Sequence, residues 1–196
     1  MVNCGGPGAL PTDLPRELID ALRTTAAHST LIIDDINSTA ILPDGSLGKG
    51  VTDVVIERSE DNDCSRLEAS HDGYVKGFGL VHQRRISLGN DGKEVRGEDR
   101  LQPKGRRKIR EAAPYTIRFH LAPGVEATIT ADGMGAILRS PAAPPWNFRC
   151  RGAMLALEES LTIDGHGRPA PTSQLVVVGE ISGIGGEIAW QLRRSS

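Results

Sequence analysis

A chain of 196 residues with 23 Gly and 12 Pro is long enough for one domain with a real core, and too heavily punctuated for a helical bundle. Aromatics make up only 4%, so the core must come mostly from Val, Ile, Leu and Ala, and a net charge of −2 advertises no polyanion partner for the chain as a whole. No run approaches the ~20 apolar residues of a membrane span, the first residues lack the basic start and apolar stretch of a signal peptide, and three widely spaced cysteines, Cys4, Cys64 and Cys150, form neither a disulfide framework nor a paired zinc motif.

One short helix is expected near the amino terminus. Asp13 can cap it, Pro15 sits in its first turn, and Leu14, Leu18 and Leu22 fall on one face. From Ser29 onward the pattern is strands. Leu31 to Ile33 reads as a short buried strand and Thr39 to Leu42 as another, with turn chemistry at Pro43-Asp44-Gly45. Val51 to Arg58 and Ser65 to Tyr74 flank an acidic loop, and Leu80 to Leu88 leads through Gly89-Asn90-Asp91-Gly92, a hairpin signal, into Glu94 to Leu101. Gln102 to Pro114 reads as a basic loop. Tyr115, Ile117, Phe119 and Leu121 then alternate with Thr116, Arg118 and His120, the period of a half-buried strand. Val125 to Thr130, Ala136 to Arg139, Phe148 to Cys150, Met154 to Ile163, Leu175 to Val178 and Gly186 to Leu192 complete the series, with Pro141 to Pro145 as a loop. Short strands joined by tight turns imply an all-β fold, an antiparallel β-sandwich or layered sheets, over a single domain 1–196.

The site candidates are few. If Val75-Lys76-Gly77-Phe78 closes a four-residue loop, positions summing to 153 face one another, so His71 lies opposite His82 and Ala69 opposite Arg84. Residues 82 and 84 share a face, which puts two imidazoles and a guanidinium in one patch able to hold a carboxylate or sulfate. The competing reading is a structural cross-strand pair with Asp72 capping the turn. Arg100, Lys104, Arg106, Arg107, Lys108 and Arg110 form a basic run, read either as a solvated loop or as an acidic-polymer contact; no aromatic interleaves it and no nucleic-acid signature accompanies it. No G-x-S-x-G elbow is present, Gly183-Ile184-Gly185-Gly186 is a turn rather than a phosphate cradle, and His166 is expected at a hairpin tip.

Three segments carry a family resemblance: Arg23-Thr-Thr-Ala-Ala-His28-Ser-Thr-Leu-Ile-Ile-Asp34, Val2-Asn3-Cys4-Gly5, and Ala69-Ser70-His71-Asp72-Gly73-Tyr74 followed by His82-Gln83-Arg84-Arg85. Taken in chain order, with Val2-Asn3-Cys4-Gly5 first, they resemble the carboxy-terminal β domain of heparinase II/III-like polysaccharide lyases. The resemblance implies β-elimination at a uronic acid in a heparin-, heparan- or alginate-like acidic polysaccharide, an α/α toroid packed on the β domain, and the periplasm or cell envelope as the compartment, with the cytoplasm as the alternative. It implies His71, His82, Arg84 and Tyr74 as substrate-binding residues, and places His28 and Asn3 at positions that help hold a divalent metal (zinc or calcium) in the intact family member. Asn3 stands where the family carries an aspartate. The family's H-x-H-x-D strand has no counterpart here, so the catalytic residues are expected upstream of Met1, the chain reads as truncated and inactive alone, and an exposed sheet edge near the amino terminus is expected to drive self-association. The alternative function is a non-catalytic acidic-glycan-binding or interaction module.

Overall fold

The computed structural model describes residues 1–6, 13–105, 112–141 and 143–195. Arg106, Arg107, Lys108 and Arg110 of the basic run lie outside the described residues. Among the described residues, twelve strands form two antiparallel sheets. The smaller has β1 (Leu31–Ile33), β6 (Ala113–His120), β11 (Pro169–Ile181) and β10 (Met154–Ile163) side by side in that order. The larger runs β2 (Val54–Glu60), β3 (Cys64–His71), β4 (Leu80–Gly89), β5 (Glu94–Pro103), β12 (Gly186–Arg194), β9 (Ala143–Cys150), β8 (Gly135–Ser140) and β7 (Glu126–Ile129). The expected all-β sandwich is the fold.

Alternation dictates which residues meet between the sheets. Tyr115, Ile117 and Phe119 point inward from β6, and Leu175 and Val177 from β11. They meet Leu80, Leu101, Phe148, Ile188 and Trp190 from the larger sheet. Phe119 lies 4.9 Å from Trp190 and 5.0 Å from Phe148 between ring centres. Each such buried side chain contributes about 1.5–3 kcal/mol relative to exposure. The larger sheet has eight strands and the smaller four. Its overhang leaves Val54, Ile56, Leu67 and Leu88 exposed on the face that elsewhere forms the core.

Several expectations need correction. The amino-terminal helix, α1, spans Arg16–Ala21 with Pro15 in extended backbone at its cap and no side-chain cap bond, so Asp13 does not cap it. Proline's fixed φ and missing N–H suit that entry position. Leu14, Leu18 and Leu22 do share a face, packing with Cys4, Ala27 and Ile163. The strand expected at Thr39 to Leu42 is only a bridge, Ile41 to Leu47, because the turn at Gly45 closes it at once and no buried face supports it. Strand β9 begins at Ala143, inside the expected Pro141 to Pro145 loop. The four-residue loop Val75–Phe78 is a helical turn, α2, ended by Gly79 in the left-handed region (φ 72). The register it sets is the expected one, with His71 opposite His82 and Ala69 opposite Arg84.

Candidate functional site

The predicted patch exists, but it is turned inward and closed by a further residue, Asp99. Asp99, on the inner face of β5, has no exposed surface. Its Oδ1 accepts hydrogen bonds from His82 Nε2 at 2.7 Å and Arg84 Nε at 2.8 Å, and its Oδ2 from Arg84 Nη2 at 3.0 Å and Trp190 Nε1 at 3.0 Å. An ionised carboxylate offers about four acceptor positions, and all are taken. Burial raises the Asp99 pKa, but the Arg84 guanidinium and His82 outweigh it and hold the carboxyl at about 2.

The two imidazoles extend this network in a fixed direction. The Gly73 backbone N–H donates to His71 Nδ1 at 3.2 Å. A backbone amide can only donate, so Nδ1 accepts and His71 Nε2 carries the proton. That Nε2–H donates to His82 Nδ1 at 3.1 Å, and His82 Nε2–H donates to Asp99. Burial, then the neighbouring His82, lowers the His71 pKa to about 4. A one-way chain from His71 through His82 to a buried carboxylate holds a structure together; every ring nitrogen already has a partner.

What the network holds is the segment leading into β1. Arg84 Nη1 donates to the Ser29 carbonyl, and the buried Tyr74 hydroxyl donates to the Leu31 carbonyl at 3.0 Å. Arg84 reaches from β4 of the larger sheet, and Tyr74 from the turn after β3, to the segment that forms β1 of the smaller sheet. Ser29 is tied further: its N–H donates to Asn3 Oδ1 at 2.8 Å, its hydroxyl donates to the Val2 carbonyl at 2.6 Å, and the hydroxyl oxygen accepts from the His120 N–H at 3.0 Å. His28, next in the chain, is exposed. Below it His120 Nε2 donates to the Ala26 carbonyl at 2.9 Å, while its Nδ1 accepts from the Ser160 hydroxyl at 2.8 Å and lies 3.4 Å from Cys4 Sγ. Burial pushes the Cys4 thiol up and the His120 imidazole down, so neither is an activated nucleophile or its protonated partner.

The structure thus unites His71, His82, Arg84 and Tyr74 in one brace, and places His28 and Asn3 on the rim that the brace supports. Asp99 and Trp190 complete it. Their signal was in the chain: the hairpin through Gly89–Gly92 sets Arg84 opposite Asp99, and a carboxylate between Gly97 and Leu101 on a buried face demands a cation. Gly97 is required there, since a Cβ at that position would stand 2.0 Å from the Trp190 ring. Asp72 does not cap its own turn; it accepts from the Thr52 and Asp53 N–H groups and the Thr52 hydroxyl, tethering the entry to β2. Of the basic run, Arg100 pairs with Glu98 and Glu187, and Lys104 with Asp53.

A divalent metal at His28 and Asn3 does not fit this donor set. Asn3 is a neutral amide whose oxygen already accepts from Ser29, and among the described residues no group of three or more His, Cys, Asp or Glu side chains is arranged to hold a metal.

Residues 1–191 match the family described as Heparinase II/III-like, C-terminal. The chain belongs to that family. A curated relative, FtsZ-localized protein C of Caulobacter vibrioides, is 29% identical over 185 residues, covering 83% of this chain and 32% of the relative. Among solved structures, a mutant of heparan sulfate lyase HepC from Pedobacter heparinus superposes with a TM-score of 0.76 at 13% identity, over 99% of this chain and 29% of the lyase. A heparinase III, the BT4657 gene product, gives 0.75 at 12% identity over 98% of this chain and 28% of its own. At such identities the likeness establishes the fold. The heparinase II/III-like chain described here therefore spans about a third of the length of the curated relative it matches. No helix among its described residues is long and apolar enough to cross a membrane.

Proposed function

We propose that this heparinase II/III-like domain is the β wall of a polysaccharide-lyase-like protein. In this reading it acts as one domain in the cell envelope and meets a uronic-acid-containing polysaccharide at the rim carrying His28 and Asn3. By itself it carries out no elimination. β-Elimination needs a base for the C5 proton, an acid for the departing C4 oxygen, and donors for the developing charge on the carboxylate. One observation carries the reading: the groups that resemble such a constellation are already committed to one another around Asp99. Tyr74 is committed to Leu31, and His120 to Ala26 and Ser160. The exposed imidazoles are His28 and His166. A base and a leaving-group acid would come from an α/α toroid packed on this wall.

The test is to incubate the purified chain with heparan sulfate, heparin and alginate and follow the absorbance of the unsaturated product. No rise above blank is expected, together with polymer retention on the immobilised chain that weakens in His28→Ala. Sustained product formation by the chain alone would overturn the proposal.

The curated relative favours a second reading. Its identity to this chain, 29%, exceeds the 13% of the heparan sulfate lyase, and its name places it with FtsZ. A non-catalytic interaction module at the division machinery would show neither turnover nor polymer retention, and would co-sediment with FtsZ polymers.

A further inference from the structure

We propose that β2 pairs with β2 of a second copy, antiparallel about a two-fold axis at Ile56, joining two eight-stranded sheets into one. Strand β2 ends the larger sheet, and all of its residues are exposed, with Val54 at 58% and Ile56 at 66%. Its sequence, Val54-Val55-Ile56-Glu57-Arg58-Ser59-Glu60, has no Pro, no Lys and no register shift to blunt the edge, and its charges, Glu57, Arg58 and Glu60, restrict which partner and register it accepts.

The ladder with β3 shows which backbone groups face outward. The Asp53 carbonyl accepts from the Asp72 N–H, and the Asp61 N–H donates to the Cys64 carbonyl. In an antiparallel pair the bonded residues alternate. The odd-numbered positions of β2 therefore bond β3, and Val54, Ile56, Arg58 and Glu60 turn their N–H and C=O groups toward the free edge. Those same residues carry the side chains of the uncovered overhang.

Charge selects the partner and the register. A two-fold at Ile56 sets Ile56 against Ile56, Val54 against Arg58, Val55 against Glu57 and Asp53 against Ser59, with no like charges opposed. Centring on Glu57 opposes two glutamates, centring on Val55 opposes Asp53 to Glu57, and centring on Arg58 opposes two arginines; such pairs are destabilising. The Val54 and Ile56 rows of both copies become continuous, with the Arg58 stem laid over Val54 of its mate.

Bonded antiparallel neighbours have Cα atoms about 5.5 Å apart, inside the range of about 4.4–6.8 Å that a disulfide spans. In a Cys64→Ser background, Ile56→Cys should therefore cross-link to itself under mild oxidation, and Arg58→Cys, off the axis, should not. Ile56→Lys, which puts two cations on the axis at an exposed position, should keep the melting temperature and shift sedimentation from dimer to monomer. A wild-type chain that stays monomeric across a wide dilution series, cross-linking of Arg58→Cys as efficient as that of Ile56→Cys, or an undiminished Ile56→Lys dimer would each overturn the proposal.

Discussion

At the residue scale Asp99 is the centre of the polar corner. Its carboxylate neutralises Arg84 and accepts from His82 and Trp190 while wholly buried. Removing one partner of a buried pair leaves the other charge uncompensated, at a cost of about 3–5 kcal/mol. Asp99→Ala should lose stability of that order in urea denaturation; a loss under about 1 kcal/mol, the level of an exposed ion pair, would contradict a buried brace. The sequence showed the imidazoles and Arg84 on one face but not that they faced inward. Periodicity marks which residues share a face, and says nothing about which face the second sheet covers. His28 reads the same way: its neighbour Ser29, tied to Val2, Asn3, Arg84 and His120, draws those partners from segments far apart in the chain.

At the element scale, most of the large sheet was legible, because tight turns fix register locally. The hairpins through Gly89–Gly92 and Val75–Phe78 gave β4 the right partners on both sides, even though the second is a helical turn. The smaller sheet was less legible. Strand β1 pairs with β6, some eighty residues on, and β6 with β11, so no turn announces either neighbour. The amino-terminal edge expected to be open is bonded along Val2 and Cys4, to His120, Ala27 and Ile163, whereas β2 is an edge strand exposed along its whole length. Packing between β5 and β12 supplies the second prediction. Gly97→Ala drives a methyl into the Trp190 ring, which must leave its bond to Asp99. Overpacking typically costs about 1–3 kcal/mol, and the lost indole bond adds to it. Tryptophan fluorescence should shift to the red, and an unchanged spectrum with unchanged stability would refute the close approach.

At the scale of the whole molecule, two sheets of unequal width are fastened by polar bonds at one corner and by an aromatic core at the centre. The polar corner makes stability depend on pH. The His71 pKa falls from 6.5 to about 4 on folding, so the folded state binds fewer protons between those values. Stability from this group is present above about pH 6.5 and is lost as pH falls toward about 4. A group serving as a general acid or base would instead titrate near the operating pH. The most direct test is therefore the side-chain nitrogen NMR spectrum of His71 at about pH 5.5, between the two values. A brace predicts a neutral ring with its proton on Nε2 and an accepting Nδ1; a protonated ring, or one carrying its proton on Nδ1, would contradict it.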